Sequence, residues 1–461
     1  MTHDATDLVV LGAGSGGYAA ALRAAQLGLS VTLIERDLVG GTCLHRGCVP
    51  TKAMLHAGDL ADAARTAGEW GVACQVTEID AGTLLARTDQ LVHRLHTGLG
   101  GLIDKAGITV VRGEGELIAD GPGVRVGDRV LRADTVVLAT GARPRQLPGV
   151  ELDGERIVTS DQALRLNRIP QRVAVIGGGV IGVEFASLWA SLGAEVHLVE
   201  AADRLLLAED DDIAAAFTRA FTRRGIRVRT GVSISQVRRE DDLVRIELAD
   251  DTLEVDAVLV AVGREPVTDA FAGAGVDVTE TGHVRVDEHL STSVPGVFAV
   301  GDLIAGPQLA HRGFAHGIFV AERAAHASGR LDRRPVLMAD HELPRITYSE
   351  PQVASVGLGE QAARDRHGAI EVRTADLAGN ARAQLSGGRG MVKLIRAADG
   401  PVVGISAVGP GVGELMGEGQ LIVGWGAHPE EVAALVHAHP TLGEALGEAH
   451  LALAGTPLHL P

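Results

Sequence analysis

DLVVLGAGSGGYAAALRAAQLGLSVTLIER at residues 7–36 and RVAVIGGGVIGVEFASLWASLGAEVHLVEA at residues 172–201 are one pattern repeated at an offset of 165 positions. Gly12 matches Gly177, Gly28 matches Gly193, and Glu35 matches Glu200. Each copy runs from an apolar segment through a glycine-rich turn into an amphipathic helix. A glycine ends that helix, and a second apolar segment closes on the glutamate. This is the pattern of a βαβ unit, and it occurs twice. In GAGSGG (12–17), Gly12, Gly14 and Gly17 permit a tight turn that lets backbone N–H groups approach a pyrophosphate at a helix N-terminus. Glu35 stands where a carboxylate accepts the hydrogen bond of a ribose 2′-hydroxyl. Gly177, Gly179 and Gly182 repeat the turn, and Glu200 repeats the carboxylate. One such turn also occurs in unrelated α/β domains; two at a single offset, each with its acidic residue, predict two bound dinucleotides. No arginine immediately follows Glu200, and Arg204 is four residues on, so the second site is expected to take NAD rather than NADP.

Working outward, ADTVVLATGARPR (133–145) and VDAVLVAVGREPV (255–267) are a second echoed pair, each a buried strand ending in turn chemistry. VPGVFAVGDL (294–303) reads as a further strand returning to the first domain. The expected boundaries are 1–145 for a first dinucleotide domain that includes a cysteine-bearing helix, 146–268 for the second, 269–339 for a segment completing the first, and 340–461 for a last domain. Residues 55–105 read as long connecting helices. In the last domain, 341–358 and 390–409 look like antiparallel strands with a turn at Asp399-Gly400, and 429–455 supplies two helices broken at Pro440. The fold class is α/β: two Rossmann-like dinucleotide-binding domains followed by an α+β domain.

A chain of 461 residues is too long for one ordinary core, which agrees with several domains. The net charge of −17, from 59 acidic against 42 basic side chains, argues against a nucleic-acid or anionic-membrane surface. No apolar run of about 18 residues is free of charge, proline or clustered glycine, and the N-terminus has no basic leader, so a cytoplasmic protein is expected. Only three of the basic residues are lysines: Lys52, Lys105 and Lys393. Three cysteines are too few for a secreted disulfide framework. Two of them, Cys43 and Cys48, lie five positions apart in GGTCLHRGCVPTK (40–52), and a close pair in a reducing compartment is metal-binding or redox-active. Residues i and i+5 of an ideal helix are about 8–9 Å apart at Cα, beyond the roughly 7 Å limit for a bridge. Gly47 and Pro50 can distort the helix, and a strained, reducible bridge at a helix start suits exchange chemistry. Zinc would want further ligands, and only Cys74 remains; no metal is expected.

GAGSGG, GGTCLHRGCVPTK, ATGARP, GGGVIGVEFA, VFAVGD and HAHPTLGEAL, in that order, make the chain resemble the flavin-dependent pyridine nucleotide–disulfide oxidoreductases along essentially its whole length, and within them the lipoamide branch. The resemblance implies FAD on the first turn, with Thr140, Gly141 and Asp302 also at the flavin, and NAD on the second, with Gly263. It implies that Lys52 pairs with Glu184 beside the flavin, that Cys48 is the sulfur nearer the flavin and Cys43 the one that exchanges with a dithiol, and that the two form a disulfide. His439 would be the base that takes the thiol proton, oriented by Glu444. The expected reaction is oxidation of a dihydrolipoamide dithiol by NAD; the alternative is NAD(P)H-dependent reduction of a small disulfide, as in mycothione or glutathione reductases. In the family the last domain makes a homodimer whose base reaches the other subunit's disulfide, and the partners are lipoyl-bearing domains of 2-oxo acid dehydrogenase or glycine cleavage complexes. Two points qualify the motif. Thr441-x-x-Glu444 is also a capping-box pattern, and His437 is a rival base two residues before His439. His45-Arg46 stand where many members have Asn-Val.

Overall fold

In the computed structural model, which describes residues 6–460, the runs Thr6–Leu11, Val31–Glu35 and Arg129–Leu138 are parallel strands. Leu8, Val10, Leu33 and Val137 are fully buried, as continuous apolar strands covered on both faces must be. Thr109–Arg112 extends the sheet beyond Val31–Glu35, and Val297–Ala299 adds in parallel beside Arg129–Leu138. These strands belong to one compact unit, made of the chain up to Ala53 with Gly82–Arg145 and Gly263–Asp340. The helices Ser15–Gln26, Ala81–Lys105 and Ala310–Ala327 complete it.

A second unit comprises Met54–Ala81, Gln146–Val262 and the chain from His341. Its parallel sheet runs, in spatial order, Arg227–Arg229, Glu195–Val199, Arg172–Ile176, Ala257–Val260 and Ile157–Val158. A five-stranded antiparallel sheet follows, with Val402–Gly409 at its centre, and the helix Glu444–Leu453 buries Leu446 and Ala449 in the same core as its strands.

The internal repeat extends to the register. Leu8 faces Val31, and 165 positions later Val173 faces Val196. Gly12 N–H donates to Ile34 C=O at 2.9 Å, and Gly177 N–H to Val199 C=O at 2.8 Å. A Cβ at Gly17 would lie 1.8 Å from the Gly12 carbonyl oxygen, and one at Gly182 would lie 1.8 Å from that of Gly177. No side chain fits there, so glycine is a requirement of the close approach.

The grouping of segments differs from the sequence boundaries in three places. Residues 54–81, expected with the first domain, belong to the second unit, because Asp62 accepts from Ser191 Oγ at 2.6 Å and from Arg224 at 2.8 Å, while Arg65 donates to the Ser191 carbonyl. Residues 263–268, placed with 146–262, belong to the first, since Arg264–Pro266 pairs antiparallel with Ala142–Pro144. The segments 146–262 and 341 onward share one unit. Lys393 joins them: its ammonium, 1% exposed, lies 2.9 Å from Asp210, 2.8 Å from Asp212 and 2.6 Å from Glu360. Those three carboxylates are close enough to hold a metal ion, and a lysine supplies the cation instead. Removing it leaves three carboxylates facing one another, so Lys393→Met is expected to cost about 3 kcal/mol, the low end for breaking a buried pair because Asp212 and Glu360 are partly exposed. Urea unfolding at neutral pH checks the value, and the loss shrinks on acidification as Glu360, whose carboxyl Lys393 holds below the usual range, takes up its proton.

Candidate functional site

In the first unit the helix Ser15–Gln26 opens at Gly14 with no side-chain cap, which leaves its N-terminus to face an anion. The Glu35 carboxylate is fixed beside it by both oxygens, one accepting Ala13 N–H at 2.7 Å and the other Asp37 N–H at 2.8 Å. Glycine turn, uncapped helix and held carboxylate together fit the diphosphate and ribose of a dinucleotide such as FAD.

The loop then carries the cysteines. Gly40 and Gly41, both at positive φ, lead into a five-residue helix, Gly41–His45, and a second helix starts at Cys48. The pair therefore does not sit in one distorted helix, as its spacing suggests, but in two helices broken at Arg46-Gly47. Pro50 falls in the first turn of the second helix, where its missing N–H costs nothing. The two cysteines are thiols here, Cys43 half-buried and Cys48 exposed. A hydrogen bond to Cys48 is the main influence pushing the Cys43 thiol up, followed by burial and by the neighbouring sulfur; Lys52 pulls it down and Asp302 adds to the rise. The same sulfurs, after burial, help to push the Tyr18 hydroxyl up to about 12. Cys43, Cys48, Lys52, Asp302 and Tyr18 thus share one neighbourhood; Tyr18, one residue past the fingerprint glycine, is the member the sequence reading missed. Burial raises the Asp302 carboxyl while Arg264, Arg312 and His283 pull it down. Thr140 donates to the Val267 carbonyl at 2.6 Å, and Gly141 adopts φ +70°. Gly263, expected at the nicotinamide dinucleotide, lies in the first unit and accepts Arg145 N–H at 3.0 Å.

In the second unit Glu200 repeats the Glu35 arrangement: Gly178 N–H donates to one oxygen at 2.5 Å and Ala202 N–H to the other at 2.7 Å. Arg204 is engaged by the carbonyls of Leu206 and Glu209 and by Asp211, so it is committed away from a 2′-phosphate. Glu184, 3% exposed, accepts Tyr348 N–H at 2.9 Å, and Ser187, one turn on, accepts Glu350 N–H at 2.8 Å. Lys52 stands in the other unit.

His439 Nδ1 meets Glu444 Oε1 at 2.7 Å, and Thr441 N–H donates to Glu444 Oε2 at 2.8 Å. The capping box is only half formed, because the Thr441 hydroxyl donates to Ala438 C=O instead. The Thr441 amide, then His439, hold the Glu444 carboxyl below the usual carboxylate range. With Nδ1–H bound to a carboxylate, the His439 Nε2 lone pair is free to act, on a side chain 75% exposed. His437 is 15% exposed and its Nε2 meets Glu418 at 2.8 Å. The two histidines differ in which nitrogen is engaged: the distal Nε2 of His437 is taken by Glu418, whereas Glu444 takes the proximal Nδ1 of His439.

Residues 6–317 match the pyridine nucleotide-disulphide oxidoreductase family, and residues 343–450 match that family's dimerisation domain. The chain is 37% identical to dihydrolipoyl dehydrogenase 2 of Haloarcula marismortui, over 98% of each chain. It is 36% identical to a dihydrolipoyl dehydrogenase of Bacillus subtilis, over 98% of this chain and 99% of the other. Among solved structures, LpdA from Mycobacterium tuberculosis superposes with a TM-score of 0.89 at 29% identity, covering 97% of this chain and 99% of its own. Among the described residues no helix is long and apolar enough to cross a membrane.

One buried group near Asp302 carried no sequence signal. His316, 3% exposed, accepts Gly301 N–H on Nδ1 at 3.3 Å, and burial, followed by Arg312, holds its pKa down to about 4. The unfolded chain, with an ordinary value near about 6.5, takes up the proton first as the pH falls, so this stabilising contribution is complete above that value and is lost on the way towards 4. The stability difference between the protein and His316→Gln, which keeps an acceptor but does not titrate, is expected to change by about 2 kcal/mol against the protein from about pH 7 to pH 5. Paired denaturant titrations measure it, and an unchanged difference would contradict the assignment.

Proposed function

Because the chain belongs to the pyridine nucleotide-disulphide oxidoreductase family, we propose that its cysteine pair and its two dinucleotide sites form one electron path, with residue roles as follows. The activity is that of a dihydrolipoyl dehydrogenase, which oxidises dihydrolipoamide to lipoamide and reduces NAD, with FAD as the resident cofactor. What supports the roles most directly is the Cys43–Cys48 contact at a helix start beside the first glycine turn, with Lys52 in the same neighbourhood.

A substrate thiolate attacks Cys43 of the oxidised pair, so the Cys43–Cys48 bond breaks and Cys48 leaves as a thiolate. The start of the helix Cys48–Thr66 and Lys52 favour that charge. His439 then accepts the proton of the second substrate thiol at Nε2, and the second sulfur displaces Cys43 from the mixed disulfide. The dithiol has lost two electrons and two protons. Bound FAD supplies the redox chemistry that links the two thiols to NAD, which takes the electron pair as a hydride. The Glu444 carboxylate keeps the imidazole in the Nδ1–H form and stabilises the imidazolium. Lys52 is assigned to the flavin side, beside the cysteine pair. Glu200, with Arg204 engaged elsewhere, favours NAD over NADP. In a homodimer built on the 343–450 region, the partner subunit's His439 serves the cysteine pair. The partners are lipoyl-bearing domains of multienzyme complexes in the cytoplasm.

Anaerobic turnover of dihydrolipoamide with NAD, set against NADH with oxidised mycothiol or glutathione disulfide, tests the substrate. Turnover of dihydrolipoamide alone is expected; turnover of only a small disulfide would overturn it. His439→Gln is expected to keep its flavin and to slow the dithiol half-reaction by about 10²–10⁴, the span of a general base. A stopped-flow change within about threefold would remove His439 from that role.

A further inference from the structure

His45 and His96 lie outside every role assigned so far, and both donate to one atom. His45 Nε2 is 2.9 Å from the Val39 carbonyl oxygen, and His96 Nδ1 is 3.0 Å from the same oxygen. A carbonyl only accepts, and it has two lone pairs, so each ring presents an N–H and the oxygen is fully used. The rings meet edge to face, with centroids 5.1 Å apart at 67°. His45 ends the short helix that carries Cys43, and His96 stands on the long helix Ala81–Lys105. Val39 belongs to the segment that runs from the Glu35 carboxylate to the cysteines. That segment is pinned further by Gly40 N–H to Ala13 C=O at 2.8 Å and by the Arg46–Asp37 ion pair.

We propose that His45 and His96 are positioning residues for the disulfide chemistry: through Val39 they lock the five-residue helix that presents the Cys43 sulfur.

A helix of one turn does not hold itself together, so its geometry must come from tertiary anchors. Leu44 and His45 are its buried side chains, and His45 alone carries a hydrogen-bonding group among them. Glycines flank the helix on one side and the Arg46-Gly47 break on the other, so without the clamp Cys43 can turn about both ends. Exchange needs that sulfur first within bonding distance of Cys48 and then open to a substrate thiol, which is a demand on position. Burial, aided by His96 and Arg46 against the pull of Val39 and Asp37, keeps the His45 ring neutral, as two imidazoles in contact require.

The inference rests on the disulfide reading above, and its test does not depend on which dithiol is the substrate. In the reduced holoenzyme, alkylation of Cys43 by iodoacetamide is followed by mass spectrometry, alongside turnover of dihydrolipoamide with NAD and of NADH with ferricyanide. In His45→Leu the thiol escapes the Cys48 contact that suppresses its ionisation, so Cys43 alkylation is expected to rise about fivefold, the worth of one hydrogen bond. Dihydrolipoamide turnover is expected to fall about tenfold while ferricyanide turnover stays within about twofold. His96→Leu, on a different helix, should do the same, and it carries the test if His45→Leu does not fold. His45→Gln keeps an N–H donor and should bring alkylation back to within about twofold of the parent. Alkylation unchanged in both leucine variants overturns the proposal, as does a matching fall of both turnovers. If the parent does not oxidise dihydrolipoamide, the substrate reading has failed and the alkylation rates alone decide the clamp.

Discussion

The backbone of Gly17 passes so close to that of Gly12 that a single added carbon would sit inside the other residue's carbonyl oxygen. That approach turns the chain from strand to helix within a few residues and aims the helix start at the strand's end. With the turn fixed, Glu35 at the end of the neighbouring strand falls beside Ala13 and accepts its N–H. Its other oxygen takes Asp37 N–H, and the chain continues through Val39 to the cysteines. The cysteine segment is thus placed by a chain of short contacts to the backbone that begins at a glycine. The second unit repeats the first steps and then diverges, because Glu200 is followed by Ala201 and Ala202 where Glu35 is followed by Arg36 and Asp37. The same turn recurs at both fingerprints, and only the first copy leads to the cysteine pair.

Carboxylates held by both oxygens recur at each functional point. Glu35 and Glu200 are held by two backbone amides apiece, and Glu444 by the Thr441 amide and the His439 ring. Such a group cannot rotate away, so it orients what it meets without further loss of side-chain freedom. Glu444 shows the consequence most clearly. The oxygen that accepts the Thr441 amide and the oxygen that meets the imidazole belong to the same group, so the capping contact and the orienting contact proposed for Thr441-x-x-Glu444 coexist, one on each oxygen.

Local patterns were legible in the sequence; tertiary ones were not. The repeat, its carboxylates, the return strand and the antiparallel sheet follow from apolar periodicity and turn residues, which act over a few positions. The assignment of residues 54–81 depends on Asp62 and Arg65 meeting Ser191 and Arg224, more than a hundred positions away, and nothing in the local sequence marks that contact. The spacing of Cys43 and Cys48 correctly excluded one ideal helix, but a bend and a break are indistinguishable by counting. His316, Tyr18 and Lys393 are ordinary residues until folding supplies their neighbours.

The two histidines of HAHP are given different environments by the fold although the residue types are identical. Two positions apart, they would share one side of a regular strand, yet the His437 side chain is largely covered and that of His439 is exposed. His437 goes inward, where Gly447 leaves it room: a Cβ there would lie 2.6 Å from its Nδ1. Glu418, nineteen positions earlier, takes its Nε2. His439 goes outward, and the glutamate that meets it binds Nδ1, leaving the more distal Nε2 to face solvent or substrate. A base must keep a lone pair available and change charge during turnover, so it is disfavoured by a buried partner on that nitrogen and favoured by an anion behind it. Inward burial and Glu418 give His437 the first environment; exposure and Glu444 give His439 the second.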